Sequence, residues 1–93
     1  MTFTDSDSFD IEGGEVGDTV SIDVSTGVAG GDGRYAYSAN GLPAGIEING
    51  ATGLISGAFT EPTDGGVATI TVTDGAGASE SITIAIGEII DSI

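Results

Sequence analysis

Leu42 to Gly57, LPAGIEINGATGLISG, is the stretch that most restricts the fold, because it sets two turns and two short strands within sixteen residues. Pro43 fixes its own φ and keeps Leu42 out of the α region, so the segment enters extended. Gly45 then relaxes the backbone before Ile46, Glu47 and Ile48, whose alternation is that of a strand. Asn49-Gly50 predicts a turn built on positive φ, and Gly53 supplies a second such position. Leu54 to Gly57 reads as the returning strand. A chain with this hairpin near its middle belongs among β proteins, and the flanking segments agree.

On the N-terminal side, Phe9 to Glu12 alternates and predicts a first edge strand, broken by Gly13-Gly14. Val16 to Val24 predicts a strand with Val20, Ile22 and Val24 on one face and Thr19, Ser21 and Asp23 on the other. Ser25 to Gly33 is rich in glycine and reads as a flexible hairpin loop. It is no phosphate cradle, since no lysine follows and no helical pattern opens after it. Arg34 to Ala39 predicts a strand that places Tyr35 and Tyr37 on one face.

Beyond the central stretch, Ala58 to Gly66 is a loop in which Pro62 ends pairing and Asp64-Gly65-Gly66 turns the chain. Val67 to Thr73 sets Ala68, Ile70 and Val72 opposite Val67, Thr69, Thr71 and Thr73. Asp74 to Gly77 makes a tight turn, and Ser79 to Ile86 returns with Ile82, Ile84 and Ile86 inward. No stretch of helical length carries apolar residues at helical spacing. About seven short strands in some ninety residues describe an all-β, immunoglobulin-like sandwich of antiparallel strands, without the Cys pair and Trp of antibody domains. One domain is expected over residues 9–87, with 1–8 as a linker or N-terminal arm and 88–93 as a C-terminal linker.

Composition narrows the function. Fifteen Asp and Glu stand against a single basic residue, Arg34, for a formal net charge of −14. Phosphate recognition needs clustered Lys and Arg, so nucleic acid and anionic membrane surfaces are disfavoured as partners. Divalent cations, or a saline medium that screens self-repulsion, are the natural complements. Without cysteine or histidine the usual zinc, iron and copper sites are disfavoured, while oxygen-ligand calcium sites remain open. No apolar run approaches membrane-spanning length and Met1-Thr2-Phe3 lacks the character of a signal peptide, which says little about where a larger parent chain goes.

Leu42-Pro43-Ala44-Gly45-Ile46, Thr52 to Gly57, Ala68 to Gly77 and the closing Ser81 to Ile86 together resemble the putative-Ig or dystroglycan-type cadherin-like repeats, over roughly residues 14–87. The resemblance implies a cadherin-like β-sandwich that recurs in tandem within large secreted or cell-surface proteins, beside neighbouring repeats of the same chain or other surface proteins. It also implies calcium at the junctions between repeats. Glu61 falls where cadherins place the Glu of their Leu-Asp-Arg-Glu motif, Asp74 at the first Asp of their Asp-x-Asp pair, and Glu12 or Glu15 near their first-strand Glu. Glu88 and Asp91 stand for the acidic junction motif, and Asp5 and Asp7 for a junction arriving from a preceding repeat. Two departures stand out: Ala76 replaces the second acid of the pair, and the junction motif is reduced.

The expected function is therefore a non-catalytic, extracellular structural or adhesion module, stabilised by calcium at its ends. The alternative is a carbohydrate-binding module, in which Tyr35 and Tyr37, or Phe59, would be exposed for stacking on a glycan; the competing role of the tyrosines is to fill a core short of aromatics. Carboxylate pairs alone do not argue for a glycosidase, because fifteen acids on a small sandwich meet by chance. Internal isopeptide formation is excluded by the absence of lysine.

Overall fold

A computed structural model describes residues 2–4, 9–30 and 33–91. Ten strands are present among these residues: β1 (Thr2–Phe3), β2 (Gly14–Glu15), β3 (Thr19–Asp23), β4 (Val28–Ala29), β5 (Tyr35–Asn40), β6 (Ile46–Ile48), β7 (Leu54–Ala58), β8 (Gly66–Asp74), β9 (Ser79–Ile86) and β10 (Ile89–Ile90). Two three-stranded antiparallel sheets, ordered β3-β7-β6 and β5-β8-β9, form the layers. Two small ladders join them at the margins: β1 pairs antiparallel with β4, and β2 pairs parallel with β10. The strand order is that of an immunoglobulin-like sandwich, with connections passing from one sheet to the other. The molecule is elongated, 48 × 19 × 17 Å.

The longest hairpin, β8 with β9, follows directly from its alternation. Ala68, Ile70 and Val72 of β8 and Ile82, Ile84 and Ile86 of β9 are buried, and the register sets Ile70 opposite Ile82 and Ala68 opposite Ile84. On the outer face Thr71 and Ser81 share a hydroxyl hydrogen bond of 2.9 Å. Ile46 and Ile55 supply the facing layer, while Phe3, Phe9, Val24, Phe59 and Ile89 close the core at its margins. Each fully buried isoleucine contributes on the order of 2 kcal/mol of transfer free energy, so the aliphatic core suffices without a large aromatic set.

The central stretch holds its shape by a close backbone crossing. Ile46 lies opposite Gly57, and a Cβ on Gly57 would stand 2.1 Å from the Gly45 carbonyl oxygen, while one on Gly45 would stand 1.9 Å from that of Ala58. Both glycines also have positive φ, 90° and 137° for Gly45 and Gly57. The turn between β6 and β7 differs from expectation. Neither Asn49 nor Gly50 has positive φ; instead Asn49 Oδ1 accepts the Ala51 and Thr52 amides, and the Gly53 amide donates to the Asn49 carbonyl. Asparagine's side chain therefore builds the turn, and Gly53, at φ 77°, supplies the left-handed residue.

Four other expectations are corrected. Val24 does not end a strand but opens a 3-10 helix, Val24–Gly27, because Asp23 caps it by accepting the Ser25 amide. The glycine-rich segment after it is not a hairpin loop: it crosses from the sheet of β3 to that of β5 and carries β4 on the way. Phe9 to Glu12 contributes an isolated parallel bridge, Ile11 with Ile86, in place of a regular edge strand. At the margins the fold reaches beyond 9–87, since Phe3 is buried in β1 and Ile89, only 1% exposed, is buried in β10. The apolar residues of the supposed arm and linker find partners there, which two-residue strands too short to show alternation do not announce.

Candidate functional site

The strand directions decide where the acidic residues lie. Glu12 precedes β2 and Glu15 ends it, while Glu88 and Asp91 flank β10, so the parallel ladder gathers these four at one end of the sandwich. The Gly14 amide donates to the Glu88 carbonyl at 3.0 Å, and the Val16 amide to that of Ile90 at 2.8 Å. Glu61 joins the same end, because two residues later Thr63 exchanges two backbone hydrogen bonds with Ile89, both 2.9 Å. Asp64, Glu88 and Asp91 line one groove there with Pro62 and Ile89. Asp74 is at the other end of β8, eight residues from Gly66, or about 26 Å along the strand.

Five of the six acids expected to hold calcium thus share an end, all of them exposed, and the sixth stands apart. Among the described residues no three acidic side chains converge closely enough to hold a metal ion. Asp5 and Asp7 lie outside the described residues. Asp74 itself is buried, and its Oδ1 accepts the Ala76 and Ala78 amides at 3.0 and 2.9 Å. It falls on the core-facing register of β8, two residues after Val72, and its short side chain folds back over the turn to satisfy amides that the hairpin leaves unpaired.

Three further aspartates act in the same way, which charge counting alone does not find. Asp18 Oδ2 accepts the Glu15 amide, Asp23 Oδ1 the Ser25 amide and hydroxyl, and Asp10 Oδ1 the Ala85 amide. For Asp23 and Asp74 the signal is local: Asp23-Val-Ser25 and Asp74-Gly-Ala76 each put a recipient amide two residues after the aspartate, the spacing of an Asx turn. Asp10 reaches across 75 residues, and no local pattern marks it.

The tyrosines do not form a stacking platform. Tyr37 is buried and Tyr35 half-buried, with ring centroids 6.4 Å apart and planes inclined at 56°. Tyr37 packs against Gly53, and the Tyr35 hydroxyl donates to the Gly30 carbonyl. Burial foremost, then the Asp23 carboxylate and the neighbouring Tyr35, push the Tyr37 phenol above its ordinary value of 10.0. Phe59 is also buried. Tyr37 and Phe59 are thus turned to the core, while Tyr35 stays partly exposed. No helix among the described residues is long and apolar enough to cross a membrane.

Comparison with known proteins agrees with this architecture. No curated protein matches the chain. Among solved structures it is similar to a putative alpha-galactosidase from Bacteroides fragilis, at 26% identity and a TM-score of 0.58. That likeness covers 83% of this chain and 15% of the other, so the chain spans a small part of the longer protein. It is also similar to the PKD domain of the KIAA 1837 protein, at 16% identity and a TM-score of 0.48, over 94% of this chain and 87% of that one. A family model described as Putative Ig domain matches residues 4–87, the span from the end of β1 through β9 that carries both sheets and the central glycine crossing, and the chain belongs to that family.

Proposed function

We propose that the chain is a non-catalytic structural or adhesion module of an extracellular multidomain protein, and that calcium bridges successive modules. The observation that carries this reading is the polarity of the acids: Glu12, Glu15, Glu61, Glu88 and Asp91 at one end, Asp74 at the other. A single copy offers an ion too few converging oxygens for the six to eight ligands that calcium takes. Two modules end to end would bring the acidic end of one against the hairpin end of the next, where one Asp74 oxygen is not spent on the Ala76 and Ala78 amides. An elongated body suits a spacer, and the likeness to a small part of a longer alpha-galactosidase chain supports an accessory place in a multidomain protein. With no histidine, cysteine or lysine, the chain also brings few of the usual acid, base and nucleophile groups.

The test compares one module with a head-to-tail fusion of two, melted in calcium, in magnesium, in sodium chloride of equal ionic strength, and in chelator. The fusion gains thermal stability in calcium by mass action, and the single module gains little. A fusion that melts at one temperature in calcium and in chelator removes calcium from the proposal. Equal stabilisation by sodium chloride assigns the charge to a saline habitat.

A further inference from the structure

The sheet β3-β7-β6 ends at β3 on an edge that no strand among the described residues pairs. Pairing with β7 alternates, and the Val24 amide to Gly53 carbonyl and Phe59 amide to Asp18 carbonyl bonds fix its phase. Residues 18, 20, 22 and 24 therefore bond to β7, while the backbone N–H and C=O groups of Thr19 and Ser21 point outward. Among the described residues they meet no partner. In this topology the first strand would ordinarily lie along that edge; here residues 9–15 run beside β9 and β10 instead. The gap is a groove of about 520 Å³ lined by Asp10, Glu12, Asp18, Val20, Ile22 and Phe59. Val20 and Ile22 face the core yet stay half-exposed, whereas Ile70 and Ile84 in the opposite sheet are wholly buried.

We infer that this edge docks an extended basic peptide, which adds to β3 as a further strand. Its backbone pairs with Thr19 and Ser21, its apolar side chains cover Val20 and Ile22, and alternate Lys or Arg side chains meet Asp10, Glu12 and Asp18. Charge selects the occupant: a second copy would bring another −14 to a groove already lined by three carboxylates. Five residues of β3 span about 16 Å, so the recognised core is about five residues long.

The probe is an acetylated, amidated peptide of about seven alternating lysines and valines, titrated into the chain with amide exchange followed residue by residue. Saturable binding is expected, with the Thr19 and Ser21 amides slowed, and affinity falling as sodium chloride rises. Ser21→Pro removes an outward amide that the fold does not use, so it should preserve the melting curve and weaken binding at least about tenfold. Independently of that variant, N-methylation of alternate peptide amides should abolish binding in one phase and spare it in the other. The inference is overturned by absence of binding at millimolar peptide, by equal binding of both N-methylated phases, or by equal binding of the glutamate-for-lysine peptide. Self-association of the chain that Ser21→Pro removes would also overturn it, in favour of a second copy; absence of any occupant would leave the acids as guards against edge pairing.

Discussion

Replacing Asp74 separates the two roles that its carboxylate could hold. In the folded chain Oδ1 accepts the Ala76 and Ala78 amides, and the Asp74 amide donates to the Ala78 carbonyl at 2.8 Å. Asp74→Ala removes both side-chain bonds and leaves two amides at a partly buried turn. A bond to a charged acceptor is worth about 1.5–3 kcal/mol; because water reaches this turn and replaces part of the loss, about 2–3 kcal/mol for the pair is expected. For a domain of this size that lowers Tm by roughly 10–20 °C. Asp74→Asn keeps an acceptor oxygen in place and should cost about 1 kcal/mol or less. Urea unfolding at fixed ionic strength in chelator, followed by circular dichroism, reads both variants, with m unchanged if only the folded hairpin is affected. Asp74→Ala within about 0.5 kcal/mol of the parent would refute the turn-clip argument. Asp74→Asn as damaging as Asp74→Ala would show that charge, and not the acceptor geometry, is what the hairpin needs.

Other consequences are equally accessible. Because the folded Tyr37 phenol holds its proton above pH 10.0, the unfolded chain binds fewer protons beyond that point; stability should be flat below it and fall as pH rises through the folded value, and Tyr37→Phe should reduce that alkaline slope in urea midpoints. Gly57→Ala forces a Cβ to 2.1 Å from the Gly45 carbonyl, at a positive φ; a loss of about 3 kcal/mol or more is expected by urea denaturation, and a loss below about 1 kcal/mol would mean that the crossing relaxes. Ile70→Ala, at a position wholly buried between the sheets, should cost about 3–4 kcal/mol. Molar sodium chloride should raise Tm by screening the net charge, measured by calorimetry at constant pH.

What the sequence makes legible is what short-range physics controls. Val67 to Thr73 and Ser79 to Ile86 announce their faces because each buried residue is flanked by residues that are not, and the observed burial follows that alternation. Leu42 to Gly57 is legible as a pair of strands, but the reason for Gly45 and Gly57 is visible only in space, where their backbones cross. Asn49-Gly50 misleads because Asn serves two turn chemistries, positive φ and side-chain acceptance, and the sequence alone does not choose between them. The margins are hidden for a different reason: a two-residue strand such as β10 draws its stability from the partner that covers it, and Ile89 is fixed by Gly14 and Thr63, both distant in the chain. The candidate calcium residues come from family resemblance, and topology alone decides that Asp74 is far from the other five.

The net charge of −14 therefore contains two chemically different populations. Aspartate, with one methylene, reaches amides close to its own backbone: Asp18, Asp23 and Asp74 hold amides two to four residues away, and Asp10 holds that of Ala85 on the strand beside it. Glutamate reaches too far for an Asx turn, and Glu12, Glu15, Glu47, Glu61, Glu80 and Glu88 are all exposed. Neutralising a glutamate removes repulsion and leaves the backbone intact, whereas truncating one of the four aspartates exposes amides that nothing else in the turn satisfies. Ions or basic partners are then expected to act through the glutamates, through Asp91 and through the oxygens that Asp10 and Asp18 do not give to backbone amides, and the fold through the four amide-holding aspartates. Glu12 and Asp10, two residues apart beside the open edge of β3, belong to opposite populations: Glu12→Gln should weaken a basic ligand without a change in Tm, while Asp10→Ala should lower Tm by freeing the Ala85 amide. If both substitutions shift Tm alike, the acidic surface acts as one uniform field and the division fails.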